Sequence, residues 1–174
     1  MTKALIICST TDGHTKEICR RIQTLMKENA AIAEIKNADD PNIDLNRYSK
    51  IVIGASIRYG YHSKKLCSFI EANSQQLNGK PSAFFSVNLV ARKENKNTPE
   101  TNPYCRKFLK RSAWNPDISA VFAGKLNYPV YGPIDKTMIR FIMWMTKGPT
   151  NPNAVVEFTN WDQVKIFAQQ ITKL

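Results

Sequence analysis

Near the N-terminus, Ser9, Thr10, Thr11, Asp12, Gly13, His14 and Thr15 join a continuous apolar run (Lys3 to Ser9, KALIICS) to a stripe of helical period. Hydroxyls and a glycine at a strand-to-helix junction suit a phosphate. The first N–H groups of a helix lack intrahelical acceptors, and the helix dipole is positive at that end. Gly13 permits a positive φ or a close backbone approach that a Cβ would obstruct. The segment has no GxxxxGK[ST], which excludes an NTPase loop, and no GxGxxG, the usual dinucleotide fingerprint. Simple helix capping by the same side chains is the competing explanation.

Two further segments end apolar runs in the same manner. Gly54-Ala55-Ser56-Ile57-Arg58-Tyr59-Gly60 closes KIVIGAS (Lys50 to Ser56), and Ser86-Val87-Asn88-Leu89-Val90-Ala91-Arg92 closes SAFFSVNLV (Ser82 to Val90). Ser56, Ile57, Arg58, Tyr59, Ser86, Val87, Asn88 and Leu89 are therefore candidate ligand contacts. Taken singly, Tyr59 reads as a turn aromatic and Asn88 as a loop-stabilising amide. Of the two histidines, His14 belongs to the first loop and His62 is placed to cap the second helix. No side chain stands out as an acid or base.

The elements that must position these loops alternate. Apolar runs at Lys3–Ser9, Ala31–Lys36, Lys50–Ser56, Ser82–Val90 and Ile118–Ala123 read as strands. Helical stripes occupy Thr15–Asn29, Ser63–Leu77, Asn102–Ser112 and Asp162–Leu174, the last capped by Thr159 or Asn160. Val155–Phe158 reads as one more short strand. This alternation predicts an α/β, doubly wound, five-stranded parallel sheet, which binds ligands at the carboxyl ends of its strands. The chain of 174 residues fits a single domain over 1–174, with a long insertion at about 125–153 interrupting or following the fifth strand.

Composition narrows the class. The 43% hydrophobic content supports a full core and excludes wholesale disorder. No apolar run approaches the roughly 18–20 residues that span a bilayer. Cys8, Cys19, Cys67 and Cys105 show no CxxC or close Cys/His spacing, so they offer no zinc or iron–sulfur site; Cys8 and Cys19 read as buried inert thiols. Reduced thiols and the lack of a signal-peptide pattern predict a cytoplasmic chain.

The net charge is +11, and residues 92–111 alone carry +5. Such a surface suits phospholipid headgroups, carboxylated substrates or nucleic acid. The segment from Ile134 to Lys147 decides among them. Lys136, Arg140 and Lys147 cluster on one narrow side, opposite Ile134, Met138, Phe141, Ile142 and Met145. A broad apolar face beside a basic stripe suits a helix lying at a membrane surface rather than on nucleic acid. The competing reading packs it into the core or into a homo-oligomer contact.

Thr10-x-x-Gly13-x-Thr15 after an apolar first strand resembles the FMN phosphate loop of the flavodoxin-like fold, although Asp12 stands where a hydroxyl residue is usual. More specifically, VIGASIRYG, PSAFFSVNLVARK, TNPYCRKFL and the long insertion resemble the bacterial menaquinone-dependent protoporphyrinogen IX dehydrogenase family. The likeness runs from Lys3 to about Leu174. It implies FMN as cofactor, oxidation of protoporphyrinogen IX, and menaquinone or ubiquinone as acceptor at the cytoplasmic side of the inner membrane, bound peripherally. It also implies that Gly124 and Tyr128 join Tyr59 and Asn88 at the flavin ring, and that Arg92, Lys93 or Arg140 meets the porphyrinogen propionates.

Overall fold

A computed structural model describes residues 3–29 and 31–174. β1 (Lys3–Ser9) and β3 (Lys50–Ser56) form where the sequence is apolar without alternation. Leu5, Ile6, Ile7, Ile51, Val52 and Ile53 are wholly buried, so both faces of these strands are covered. β2 (Ile32–Asn37), β4 (Ser82–Val87) and β5 (Ile118–Phe122) complete a parallel sheet in the order β2-β1-β3-β4-β5. The predicted flavodoxin-like sheet is thus present. Its order reverses between β1 and β3, which opens a crevice at the carboxyl ends of those strands.

Successive side chains alternate between two cores. Ile6, Val52 and Phe85 meet α1 (His14–Glu28) and α6 (Trp161–Lys173) through Ile18, Ile22, Phe167 and Ile171. Leu5, Ile53 and Phe84 meet α2 (Lys64–Ala72), α3 (Ser74–Asn78) and α4 (Pro103–Arg111) through Leu66, Leu77 and Cys105. Gly54 is fixed by this packing, since a Cβ there would lie 2.1 Å from Phe85 Cζ. Lys50, buried at the start of β3, donates to the carbonyl oxygens of Ile171 (2.6 Å) and Thr172 (3.3 Å), satisfying the open end of α6. Cys8, Cys19 and Cys105 are buried free thiols, and Cys67 is exposed.

Three expectations need correction. The helix predicted over Ser63–Leu77 breaks at Asn73, whose side-chain amide donates to Phe69 O (2.8 Å) and ends α2. β4 stops at Val87 because Asn88 Oδ1 accepts from Ala91 N (3.1 Å) and turns Leu89–Arg92 into a single 3-10 helical turn. His62 caps nothing. It is buried between Phe84 and Phe108, with Nε2 3.0 Å from Ser86 Oγ.

The segment after β5 makes an excursion. β6 (Lys125–Asn127) and β7 (Val155–Glu157) pair antiparallel as a separate ribbon. Between them, α5 (Pro133–Met145) begins with Pro in its first turn, where the missing N–H costs nothing. Leu126, Tyr128, Tyr131 and Met143 form a small buried cluster beneath it. The predicted cap of α6 resolves to Asn160, which accepts from Asp162 N and Gln163 N.

Candidate functional site

The loop between β1 and α1 leaves the N-terminus of that helix open, a geometry that suits an anion. Gly13 occupies the N-cap of α1 at φ +89°, in the left-handed region, and no side chain caps the helix. The capping explanation of its hydroxyls therefore fails. Thr10 Oγ1 instead accepts from Gly13 N (3.0 Å) and shapes the turn, while the first-turn N–H groups of α1 keep no intrahelical acceptor. A Cβ on Gly13 would meet nothing within 4 Å, so the cradle is open there. Asp12 is turned away from the helix end. Both of its carboxylate oxygens lie 2.7 Å from Arg58 Nη2, neutralising a charge that would oppose a phosphate.

His14 braces the same turn. Its Nδ1 lies 3.1 Å from Glu17 Oε2, and its Nε2 lies 2.6 Å from Thr159 Oγ1, which donates onward to Ala123 O (2.8 Å). The ring thus ties the start of α1 to the residues before α6.

Beside the cradle, the ends of β1, β3 and β4 border a cleft of about 380 Å³. Of the residues named from the sequence, Thr10, Asp12, His14, Thr15, Ser56, Ile57, Arg58, Tyr59, Val87, Asn88, Leu89 and Gly124 line it. Ser9 and Thr11 instead face an adjoining polar hollow of about 640 Å³, shared with Thr10, Ser56 and Arg58. Ser86 is fully buried behind the cleft against His62. Tyr128 requires correction. It is wholly buried under α5 and donates its hydroxyl to Pro149 O (2.7 Å), so it does not line the cleft. Tyr131, three residues on, lines it instead.

The Asn88 amide is committed elsewhere. Asn102 Nδ2 donates to Asn88 Oδ1 (3.0 Å), and Asn88 Nδ2 donates to Asn102 Oδ1 (3.3 Å). This paired amide fixes the loop after β4 to the start of α4, leaving Asn88 a framework residue of the cleft wall.

Gly60, Val90, Arg92 and Tyr104 also line the cleft without having been assigned to it. The Met-rich segment, whose composition suits an adaptable wall for a flat apolar macrocycle, supplies more of the cleft lining. Met138, Ile139, Ile142 and Met143 on α5 close one side of it. The apolar stripe of that segment was the available signal, but periodicity does not say what a stripe covers. α5 is fastened at both ends. Near its start, Asp135 accepts from the Tyr59 hydroxyl and lies 3.5 Å from Arg58 Nη1. Near its end, Arg92 Nη2 donates to Thr146 O (3.0 Å) and Oγ1 (2.7 Å), and Arg92 Nη1 to Leu89 O (2.9 Å).

Two phenols of the cleft, Tyr59 and Tyr131, are held in the protonated form. The Asp135 carboxylate pushes the Tyr59 hydroxyl up, and burial does the same to Tyr131. Tyr59 itself sits at φ +52°, a left-handed conformation rare for a bulky residue, and is half exposed. An anion cradle beside an apolar slot suits a phosphorylated aromatic ligand.

On its other side, α5 leaves Ile134 (76% exposed), Phe141 (55%), Trp144 (69%) and Met145 (56%) in solvent. Among the described residues no helix is long and apolar enough to cross a membrane.

Known proteins resemble this chain in sequence and in fold. A flavodoxin-domain family matches residues 5–153. The oxidised flavodoxin 1 of Bacillus cereus superposes with a TM-score of 0.57 at 15% identity, covering 99% of this chain and 98% of its own. At that identity the likeness speaks for the fold. Protoporphyrinogen IX dehydrogenase [quinone] of Escherichia coli (strain K12) is 45% identical over 99% of this chain and 96% of its own. The protein of the same name from Leishmania major is 43% identical over 99% of this chain and 75% of its own. Likeness of that extent spans the excursion as well as the sheet, and on this ground the chain belongs to the protoporphyrinogen IX dehydrogenase (quinone) family within the flavodoxin fold.

Proposed function

We propose that this chain oxidises protoporphyrinogen IX to protoporphyrin IX with a membrane quinone, menaquinone or ubiquinone, as acceptor, using FMN held in the cleft. The observation that carries the reading is the uncapped N-terminus of α1, opening beside an apolar slot in a chain 45% identical to the E. coli enzyme. When bound, FMN supplies a two-electron acceptor and donor that links porphyrinogen oxidation to quinone reduction.

The residues divide the work of holding it. The α1 N-terminus with Ser9, Thr10, Thr11, Gly13, His14 and Thr15 takes the phosphate. Ser56, Ile57, Arg58, Tyr59, Val87, Leu89 and Gly124 border the ring, and Met138, Ile139 and Ile142 keep water from it. Asp12 holds Arg58 in place.

The quinone is apolar and the porphyrinogen is an apolar macrocycle carrying carboxylates on one edge, so a membrane surface suits both. The exposed Ile134, Phe141, Trp144 and Met145, with Lys136 and Lys147 nearby, form an apolar patch with a basic rim. We place this patch against the anionic headgroups of the cytoplasmic leaflet.

Anaerobic titration of the FMN-loaded protein tests the activity. Protoporphyrinogen IX should bleach the oxidised flavin bands, and a menaquinone analogue should restore them. Bleaching by NADPH together with no response to protoporphyrinogen would overturn the reading in favour of a soluble NAD(P)H:quinone reductase. Bleaching only through an added reductase partner would make the chain an electron carrier.

A further inference from the structure

We infer that a second cavity, between α2 and α4, receives the propionate-bearing edge of the porphyrinogen, with Lys107 and Arg111 as its carboxylate partners. The inference rests on the function proposed above and assigns one of its substrates a place.

The cavity measures about 310 Å³ and is walled by Tyr61, Ile70, Tyr104 and Phe108. Gly60 and Tyr104 line both it and the flavin cleft, so the two hollows meet across the Tyr104 ring. Gly60 stands at φ +81°, and a Cβ there would lie 3.5 Å from Tyr104 Cε1, so the wall the two hollows share is thin at this point. An extended ligand can therefore have one part over the redox centre and another in this cavity.

The charges favour an acidic ligand. Lys107 and Arg111 are one turn apart on the same face of α4 and both line the cavity. Among the described residues neither is paired with a carboxylate; Lys107 Nζ rests 5.0 Å over the Tyr61 ring. Glu71, on the α2 side, is the lining's one carboxylate and leaves it net positive. The cations expected from sequence to serve the propionates are engaged elsewhere or misplaced. Arg92 lines the flavin cleft but is bonded to Leu89 and Thr146, Arg140 Nε donates to Thr150 O (2.9 Å), and Lys93 lines neither hollow. A tetrapyrrole is a broad apolar ring with two carboxylates on one edge. Aromatic walls with two free cations at one rim match that division of surface.

The test compares two double variants of the FMN-loaded protein. Lys107→Ala/Arg111→Ala strips the cavity. Arg106→Ala/Lys110→Ala removes the same charge from the same helix at exposed positions outside it. Binding of protoporphyrin IX and of its dimethyl ester is followed by fluorescence. Wild type should prefer the diacid by about tenfold or more, since each charge-assisted bond contributes roughly 1.5–3 kcal/mol. The cavity variant should lose most of that preference and raise KM for protoporphyrinogen about tenfold, with flavin content and quinone KM unchanged. The outer variant should keep the preference within about twofold. An undiminished preference in the cavity variant, or an equal loss in both, overturns the inference. A wild-type protein that never oxidises protoporphyrinogen overturns the function instead, so the two failures are told apart.

Discussion

Arg58 Nη1 and Asp135 Oδ2 stand 3.5 Å apart and join the loop after β3 to the first turn of α5. The Tyr59 hydroxyl donates to the same carboxylate. Both charged side chains are partly in solvent, so the pair contributes about 1 kcal/mol or less. Asp135→Asn should therefore leave the melting temperature within about 4 °C of wild type. The first turn of α5 should exchange its amide hydrogens about three to ten times faster. Hydrogen-exchange mass spectrometry reads this directly, and unaltered protection at Lys136–Ile139 would show that the contact does not hold the helix.

The two sides of α5 should respond oppositely to a carboxylate. Phe141 and Trp144 touch each other, with centroids 6.0 Å apart, and are largely exposed. Phe141→Asp with Trp144→Asp should cut co-sedimentation with anionic vesicles about tenfold while flavin stays bound. Ile142→Asp, facing the cleft, should lower flavin retention instead. Equal vesicle binding by the double variant and wild type would reject the membrane patch.

Gly13→Ala separates strain from ligand binding. The left-handed conformation costs a non-glycine residue roughly 1–2 kcal/mol. The new methyl enters the open space of the cradle, so FMN affinity should fall by more than tenfold beyond the loss of stability. Isothermal titration with FMN and chemical denaturation of the apoprotein measure the two effects apart. Comparable FMN binding in the variant would mean that the phosphate sits elsewhere.

Burial pushes His62 down to about 4 from an ordinary value near 6.5. Between those values the unfolded chain binds the proton and the folded chain does not. Stability is therefore fully retained above pH 6.5 and falls as the pH drops towards 4, by about 3 kcal/mol from this residue. Urea denaturation across that range should show the slope, and His62→Phe should flatten it. A slope that survives the substitution would assign it to other groups.

How far the fold was legible depended on local information. β1 and β3 were readable to the residue because strands covered on both faces admit little besides apolar side chains. β4 was overrun by three residues, since Leu89 and Val90 continue the apolar run while the Asn88 side chain ends it. The cradle was visible in Thr10, Gly13 and Thr15, which are adjacent in sequence. The role of Asp12 was not, because its partner Arg58 lies 46 residues away. Tyr128 and Tyr131 carry the same side chain near one turn, and only the fold decides which is buried beneath α5 and which faces the cleft. His62 reads as polar in a string of letters, but the fold seals it among aromatic rings.

The ribbon of β6 and β7 has a thermodynamic consequence. Lys125 and Glu157 are register partners, so the excursion leaves the sheet and returns at one place. Its small cluster of Leu126, Tyr128, Tyr131 and Met143 is separate from the two large cores. The excursion thus has a small core of its own, and local opening there is expected to cost less than unfolding of the sheet. A catalyst that must admit a bulky macrocycle gains a wall able to yield without loosening its foundations.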